Sequence, residues 1–516
     1  MSTRARPRVP WTRRLGNRDE GGYVLVMLTA GLFTMIVAAS FAVDIGGWYS
    51  RQSEIQRGAD AAALSGVVWM PDFPTAQTAA LAAAARNGFV PGGAISIVVA
   101  PVAGSSRQLT VTITDADAPR YFSGSVVAHD QSLTRAATAE YVLPVPLGSP
   151  KNTFGTGDLL AGANRENFWA AVNGYCAGHE SGDVKLARYE SYTTATGASL
   201  QCSPAASPQT ADYDPTGYLY AIEMPQSALA LHLEVYDGGY NTSLSTPDIA
   251  LATDAQAVTT TYQVFGSDNT PLDTSDNPLL STTTIATNNL VYKNLWVPLQ
   301  TWVNPVAGTY YLRVKTSAAQ TTESRASNGF ALRAYTGALF VTCTSIVGAT
   351  GYSASCPQIH GVGDMSIYAN LSGVTATFYL AQVAALHAGK TMQLTLFDSG
   401  EGATKIEVLD PNGNPATFSW RTPCNPPTSP TGGCSASNVT SLNVSGTGTQ
   451  PYTGLQSTSK YNDRRMILDV KLPANYTTVY GTKVWWQIRY TVGTSASDRT
   501  TWSVNIIGDP VHLVGG

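Results

Sequence analysis

Charge is scarce in this chain: Asp, Glu, Lys and Arg make up 13% of its 516 residues, and the net charge is −4. Its 31 basic residues are spread too thinly to form a continuous stripe that could neutralise a phosphate backbone, which argues against a nucleic-acid partner. Cysteine is absent before Cys176, no C-x-x-C occurs, and the six histidines are scattered singly, so no metal site is assigned. A Gly-x-Ser-x-Gly elbow, a His-Glu-x-x-His pair and a phosphate-cradling loop are all missing. No catalytic residue and no cofactor is therefore expected, and the chain does not read as an enzyme.

Apolar sequence without charge is concentrated in one place. From Gly21 to Val43 the run GGYVLVMLTAGLFTMIVAASFAV carries no charged residue. At about 1.5 Å per helical residue it is just long enough to cross a hydrocarbon core of about 30 Å. Arg4, Arg6, Arg8, Arg13, Arg14 and Arg18 precede it and Asp44 comes after it, so the positive-inside rule leaves residues 1–20 as a cytoplasmic leader and exports the chain beyond Asp44. Trp48 and Tyr49 fall where amphipathic rings prefer to rest, at the interface. The competing reading is a secretory signal cut after the small residues around Ala42. Against it, Ile45, Trp48, Tyr49, Gln52, Ile55, Ala59 and Ala62 continue at helical spacing, with Arg51, Glu54, Arg57 and Asp60 off that line. One helix is expected to pass through both parts, with 44–70 as its extension. Ala38, Ala42 and Gly46 repeat at four-residue intervals, a small face on which another helix could pack.

Three motifs occur in order: Glu20-Gly21 before the apolar run, Ala42-Val43-Asp44-Ile45-Gly46 at its end, and Asp60-Ala61-Ala62-Ala63-Leu64 beyond. In these residues the segment 18–66 resembles the TadG-like N-terminal segment of Flp (tight-adherence) pilus assembly proteins. The resemblance implies membrane attachment and Tad pilus or secretion machinery as partners. Relatives of this kind often end in a von Willebrand A domain, whose Asp-x-Ser-x-Ser run is missing here. Gly22 is followed five residues later by Met27 instead of glutamate, so prepilin-type cutting is not expected and the anchor is read as intact.

Beyond the helix, 47 glycines, 29 prolines and Ser/Thr-rich stretches point to short strands and turns. Residues 71–147 read as a small α+β neck: a helix near 75–87, strands near 95–100, 108–114 and 132–142, and a short helix around Tyr121-Phe122. The remainder reads as a duplication at a spacing of about 160 to 180 residues. Leu231, Leu233 and Val235 leading into Asp237-Gly-Gly answer to Met392, Leu394 and Leu396 leading into Asp398-Ser-Gly-Glu401. Tyr262 to Phe265 answers to Ile406 to Leu409, Tyr310-Leu312-Val314 to Val484-Trp486-Ile488, Phe330 to Arg333 to Trp502 to Asn505, and Gly182-Asp183 to Gly363-Asp364. Alternation of period two buries one face of each strand, as in antiparallel sandwiches.

The expected fold is mainly β: a transmembrane helix over 21–43, the neck, and two tandem antiparallel β-sandwich domains, 148–342 and 343–512. Local pairs Cys176–Cys202, Cys343–Cys356 and Cys424–Cys434 are the simplest disulfide scheme, although six cysteines allow other pairings. Asp237, Asp398 and Glu401 are weak calcium candidates, since oxygen-rich turns at strand ends can hold that ion. Tyr310-Tyr311 and Trp485-Trp486 could each turn one ring outward, offering an aromatic patch, or pack it against the neighbouring domain. The functional expectation is a single-pass, membrane-anchored extracytoplasmic structural or assembly component of a Tad (Flp) pilus or related secretion system, in contact with lipid. The alternative is a cell-surface adhesion module binding glycan or protein.

Overall fold

A computed structural model of the chain describes residues 21–514, except 71–72, 103–107, 119–120, 123–130, 142–144, 156–166, 189–209, 242–247, 251–256, 268–273, 275–276, 318–324, 374, 424–432, 452–453 and 508–510. The leader 1–20 thus lies outside the described residues, as do Cys202 and Cys424. The chain forms two compact units: 1–141 together with 511–516, and 142–510.

The first unit holds α1 (Gly21–Val67), α2 (Phe73–Arg86) and an antiparallel sheet of β1 (Ile95–Pro101), β2 (Gln108–Asp115) and β3 (Leu133–Tyr141). Leu109, Val111 and Ile113 of β2 point to the helices, while Thr110 and Thr114 on the other face meet Thr138 and Thr134 of β3 at 2.8 and 2.9 Å. Period two decides which side chain reaches the core. The expected neck is present with boundaries within two residues, but with two differences. Tyr121 and Phe122 form a bend instead of a helix. The sheet also gains a fourth strand, Val511–Val514, which pairs with β3 from Val511 opposite Tyr141 to Val514 opposite Thr138. Local sequence could not assign that strand, because its partner lies at the other end of the chain.

In the second unit the duplication is visible as architecture. The first copy comprises β5 (Asn167–Asn173), β6 (Tyr218–Met224), β7 (Ala230–Asp237), β8 (Thr259–Phe265), β9 (Leu279–Ala286), β10 (Leu295–Val303), β11 (Gly308–Thr316) and β12 (Ala326–Tyr335), preceded by the short β4 (Leu147–Gly148). The second comprises β14 (Asp364–Ser372), β15 (Thr375–Gln382), β16 (Thr391–Phe397), β17 (Ala403–Leu409), β18 (Phe418–Arg421), β19 (Ser435–Val439), β20 (Leu442–Asn443), β21 (Arg465–Lys471), β22 (Trp485–Val492) and β23 (Ser495–Ile507), preceded by β13 (Gln358–Val362). One sheet runs β10-β7-β12-β5-β14-β23-β16-β21-β18-β19, and the facing sheet β9-β8-β11-β6-β13-β4-β15-β22-β17-β20.

Outward from the junction, the order in each copy is the same, so the two sandwiches are joined edge to edge through β5 and β14, with Trp169 opposite Tyr368. In the facing sheet the leading strands are exchanged. β4, from in front of the first copy, pairs with β15 of the second, and β13 pairs with β6 of the first. The boundary expected at 342/343 therefore does not divide this unit into separate cores: one apolar cluster runs from Val145 to Val504 through both copies. Sequence periodicity shows which face of a strand is buried but not which edge it meets.

The correspondences hold for β7 with β16 and for β8 with β17. For the two later strands the register moves by two residues. Val264 lies opposite Leu312 and Val408 opposite Ile488, so Leu312 answers to Ile488. Val235 lies opposite Leu332 and Leu396 opposite Trp502, so Leu332 answers to Trp502. A slip of two preserves the face of every side chain, which is why the pattern alone did not reveal it. The Gly182-Asp183 match fails: Asp364 opens β14, but its positional equivalent is β5, which lies before Gly182. Asp183 instead anchors a loop, accepting N–H bonds from Asn173, Lys185 and Leu186 and the Tyr218 hydroxyl at 2.6 Å.

Candidate functional site, an apolar helix and its collar

Among the described residues, α1 is the one helix long and apolar enough to cross a membrane. It runs unbroken from Gly21 to Val67, so the apolar run and its polar extension are one element. Tyr23 to Leu28, Leu32, Phe33, Met35 and Ile36 all stand exposed, a continuous apolar surface that water would not tolerate on an ordinary domain. The hydroxyls within this stretch are satisfied along the helix: Thr29 donates to Leu25 O, Thr34 to Ala30 O and Ser40 to Ile36 O, at 2.7 to 2.8 Å. Internal pairing of this kind is what a lipid environment demands.

The second half of the same helix is buried in protein. Ile55, Ala59, Ala62, Ala63 and Val67 pack with Ala76 and Ala80 of α2, Leu109, Val111 and Ile113 of β2, and Ala137 and Ala139 of β3. Small residues set the closeness. A Cβ on Gly58 would stand 2.6 Å from the Phe89 ring, and one on Gly66 2.6 Å from Leu109 Cδ2 and 2.9 Å from Ala76 O. Arg51 donates to Asp115 at 2.8 Å and to Glu54 at 3.1 Å, with its guanidinium 5.0 Å from the Phe89 ring centre. Arg135 of β3 reaches Gln52 at 2.6 Å. At the head of the collar Asp44 is wholly buried, its carboxylate accepting the backbone N–H groups of Tyr121 and Phe122. Ala38, Ala42 and Gly46 lie exposed, and a Cβ on Gly46 would meet nothing within 4 Å, so that small face is open on the single chain.

Residues 22–68 match the family described as putative Flp pilus-assembly TadE/G-like. The matched span and the helix Gly21–Val67 coincide to within one residue at either end. The TadE/G-like segment is therefore this helix as a whole, apolar half and collar-bound half together. No curated protein matches the chain. Among solved structures it is similar to the N-terminal CBM22-1-CBM22-2 tandem domain from Paenibacillus barcinonensis Xyn10C, at 10% identity over 82% of this chain and 92% of that one, with a TM-score of 0.13. A structure of Cucumber Necrosis Virus is similar at 9% identity over 81% and 95%, with a TM-score of 0.12. Scores this low carry no weight for fold or function.

The other sequence-derived candidates fall in the second unit. Cys343 and Cys356 are bonded, with Cα atoms 5.8 Å apart. Cys176 and Cys434 are also disulfide-bonded, and their proposed partners Cys202 and Cys424 lie outside the described residues. Asp237 and Asp398 occupy equivalent strand ends in different copies. Among the described residues no three His, Cys, Asp or Glu side chains stand together as a metal-holding group. Asp398, Asp498 and Asp248, at or near these turns, accept backbone N–H groups. Asp398, at φ +57°, accepts the Asp463 N–H at 2.7 Å; Asp498 accepts those of Gly400 and Glu401 at 2.9 and 3.1 Å; Asp248 accepts that of Gly329 at 2.8 Å. Burial, the largest cause throughout, pushes Asp237 and Asp498 up to about 7 and raises Asp248, Asp398 and Glu401 as well. Asp248 and Asp498 were missed in the sequence, since each closes a contact with backbone distant along the chain, at Gly329 and Gly400.

Of the two readings of the aromatic pairs, the exposed patch does not hold. Tyr310, Tyr311, Trp485 and Trp486 are all buried, Tyr311 against Ala221 and Phe265, and Trp485 edge-on to Tyr379. The glycan-binding alternative loses the exposed rings that motivated it. His360 lies on β13 with Nε2 3.6 Å from Glu223, and burial lowers its pKa. His232 faces outward and hydrogen-bonds Thr301 at 3.1 Å.

Proposed function

We propose that this chain is a structural or assembly component of a Flp (Tad) pilus or a related secretion system, held in the cell membrane by α1. Residues 1–20 remain in the cytoplasm and everything after Asp44 lies outside it. The carrying observation is that the TadE/G-like match coincides with one helix whose first half is bare and apolar and whose second half is locked into a folded collar. The arginine-rich leader supports the orientation, and bonded cysteines confined to the part beyond the helix agree with an oxidising compartment. The 142–510 unit acts in this reading as a rigid spacer or docking body without catalysis. Gentle cross-linking of the intact protein in its own cells should recover pilus-assembly proteins; repeated recovery of none of them removes the reading. Protease shaving of whole cells should release fragments of 142–510 while sparing the leader.

A further inference from the structure

Asp44 is the first charge after the uncharged run, yet it is not in water. Its Oδ1 accepts the Tyr121 N–H at 2.8 Å and the Phe122 N–H at 3.2 Å, and its Oδ2 lies 3.3 Å from the latter. The bond ties a bend 77 residues further along to the end of the apolar stretch. The Tyr121 ring also covers Gly47, where a Cβ would stand 3.2 Å from its Cε2. Both rings nevertheless face outward: Tyr121 is 63% and Phe122 58% exposed.

Height along the helix decides what those rings meet. Gly47 lies four residues past Val43, about 6 Å along the axis. The polar layer on each face of a bilayer is about 5 to 7 Å deep, so a membrane that covers Val43 brings its headgroup region to the rings. Aromatic side chains favour that layer, and Tyr49, 70% exposed, stands at nearly the same height. A backbone fixed by a buried carboxylate offers the rings there without further ordering of the loop.

We propose that Tyr121 and Phe122 form a second membrane contact, seated in the interfacial layer of the bilayer and held at that depth by Asp44. One helix alone is free to turn about its own axis and to tilt. A second contact beside it fixes which side of the collar faces lipid. This rests on the reading of α1 as a membrane span.

The test uses the full chain in vesicles of phosphatidylethanolamine and phosphatidylglycerol, with a nitroxide on one introduced cysteine at a time. Ile36→Cys reports the span, Phe122→Cys the proposed contact, and Leu339→Cys, on the 142–510 unit, water. The Phe122→Cys label should be shielded from a water-soluble nickel chelate and open to oxygen, and adding Asp44→Ala should abolish that shielding. If the chelate reaches Phe122→Cys as readily as Leu339→Cys while Ile36→Cys stays protected, the contact is wrong and the span stands. If the chelate reaches Ile36→Cys too, the span itself fails and the contact with it. Shielding that persists after Asp44→Ala overturns the role given to Asp44.

Discussion

Phe168 of β5 stacks on Phe378 of β15 with 4.8 Å between ring centroids. The first belongs to one sheet and one copy, the second to the facing sheet and the other copy, so a single ring pair ties all four together. Trp502 extends the stack, 5.8 Å from Phe168 and 6.4 Å from Tyr490.

Phe168→Ala should therefore weaken both copies at once. Truncating a buried phenylalanine costs about 3 to 5 kcal/mol. Calorimetry of the full chain should show one transition for the 142–510 unit moving down as a whole. Two transitions, with only one shifted, would mean that the copies fold independently.

Gly66→Val should loosen the collar. The added carbons meet Leu109, Ala76 O and Ala80, and overpacking of this kind costs about 1 to 3 kcal/mol. Gly46→Ala, with open space around it, should leave the collar unchanged. Trypsin digestion of the detergent-solubilised protein, followed at Arg86 and Arg135, separates the two outcomes.

The buried carboxyls set a pH dependence. In an unfolded chain they titrate near 4, whereas Asp237 and Asp498 in the fold titrate at about 7. Between those values the native state holds protons that the unfolded state has lost, so their contribution is full below about pH 4 and is lost as pH rises through 7. Melting of the 142–510 unit should come at a higher temperature at pH 5 than at pH 8. Asp498→Asn keeps the acceptor for Gly400 and Glu401 and should flatten the profile; an unchanged slope would remove Asp498 from the account.

Cys356→Ser should destabilise the segment around residue 350. The bond spans 13 residues, and closing a loop of that size restricts the unfolded chain by about 3 kcal/mol. The same segment is tied down where Cys343 N–H donates to Asn152 Oδ1 at 2.8 Å. Hydrogen exchange near Thr344 and Ser353 should accelerate, and urea titration should show a lower midpoint.

Much of the molecule is legible along the chain. The absence of charge from Gly21 to Val43, the helical spacing from Ile45 to Ala62 and the alternation in β2, β7 and β16 each reflect the geometry of one element. The disulfide between Cys343 and Cys356 is legible too, being local. Each of these depends on residues that are neighbours in sequence, and the hydrophobic effect sorts such patterns without reference to the rest of the fold.

Only the tertiary structure decided which edges meet. The sequence carries two copies but no sign that β4 and β13 change places, that β5 joins β14, or that the strand Val511–Val514 completes a sheet begun at Ile95. It also could not disclose that Asp44 holds Tyr121 and Phe122, or that all four rings of Tyr310-Tyr311 and Trp485-Trp486 are covered. Backbone N–H and C=O groups are the same in every residue, so the strand partner that satisfies them is fixed by shape and packing across the whole chain.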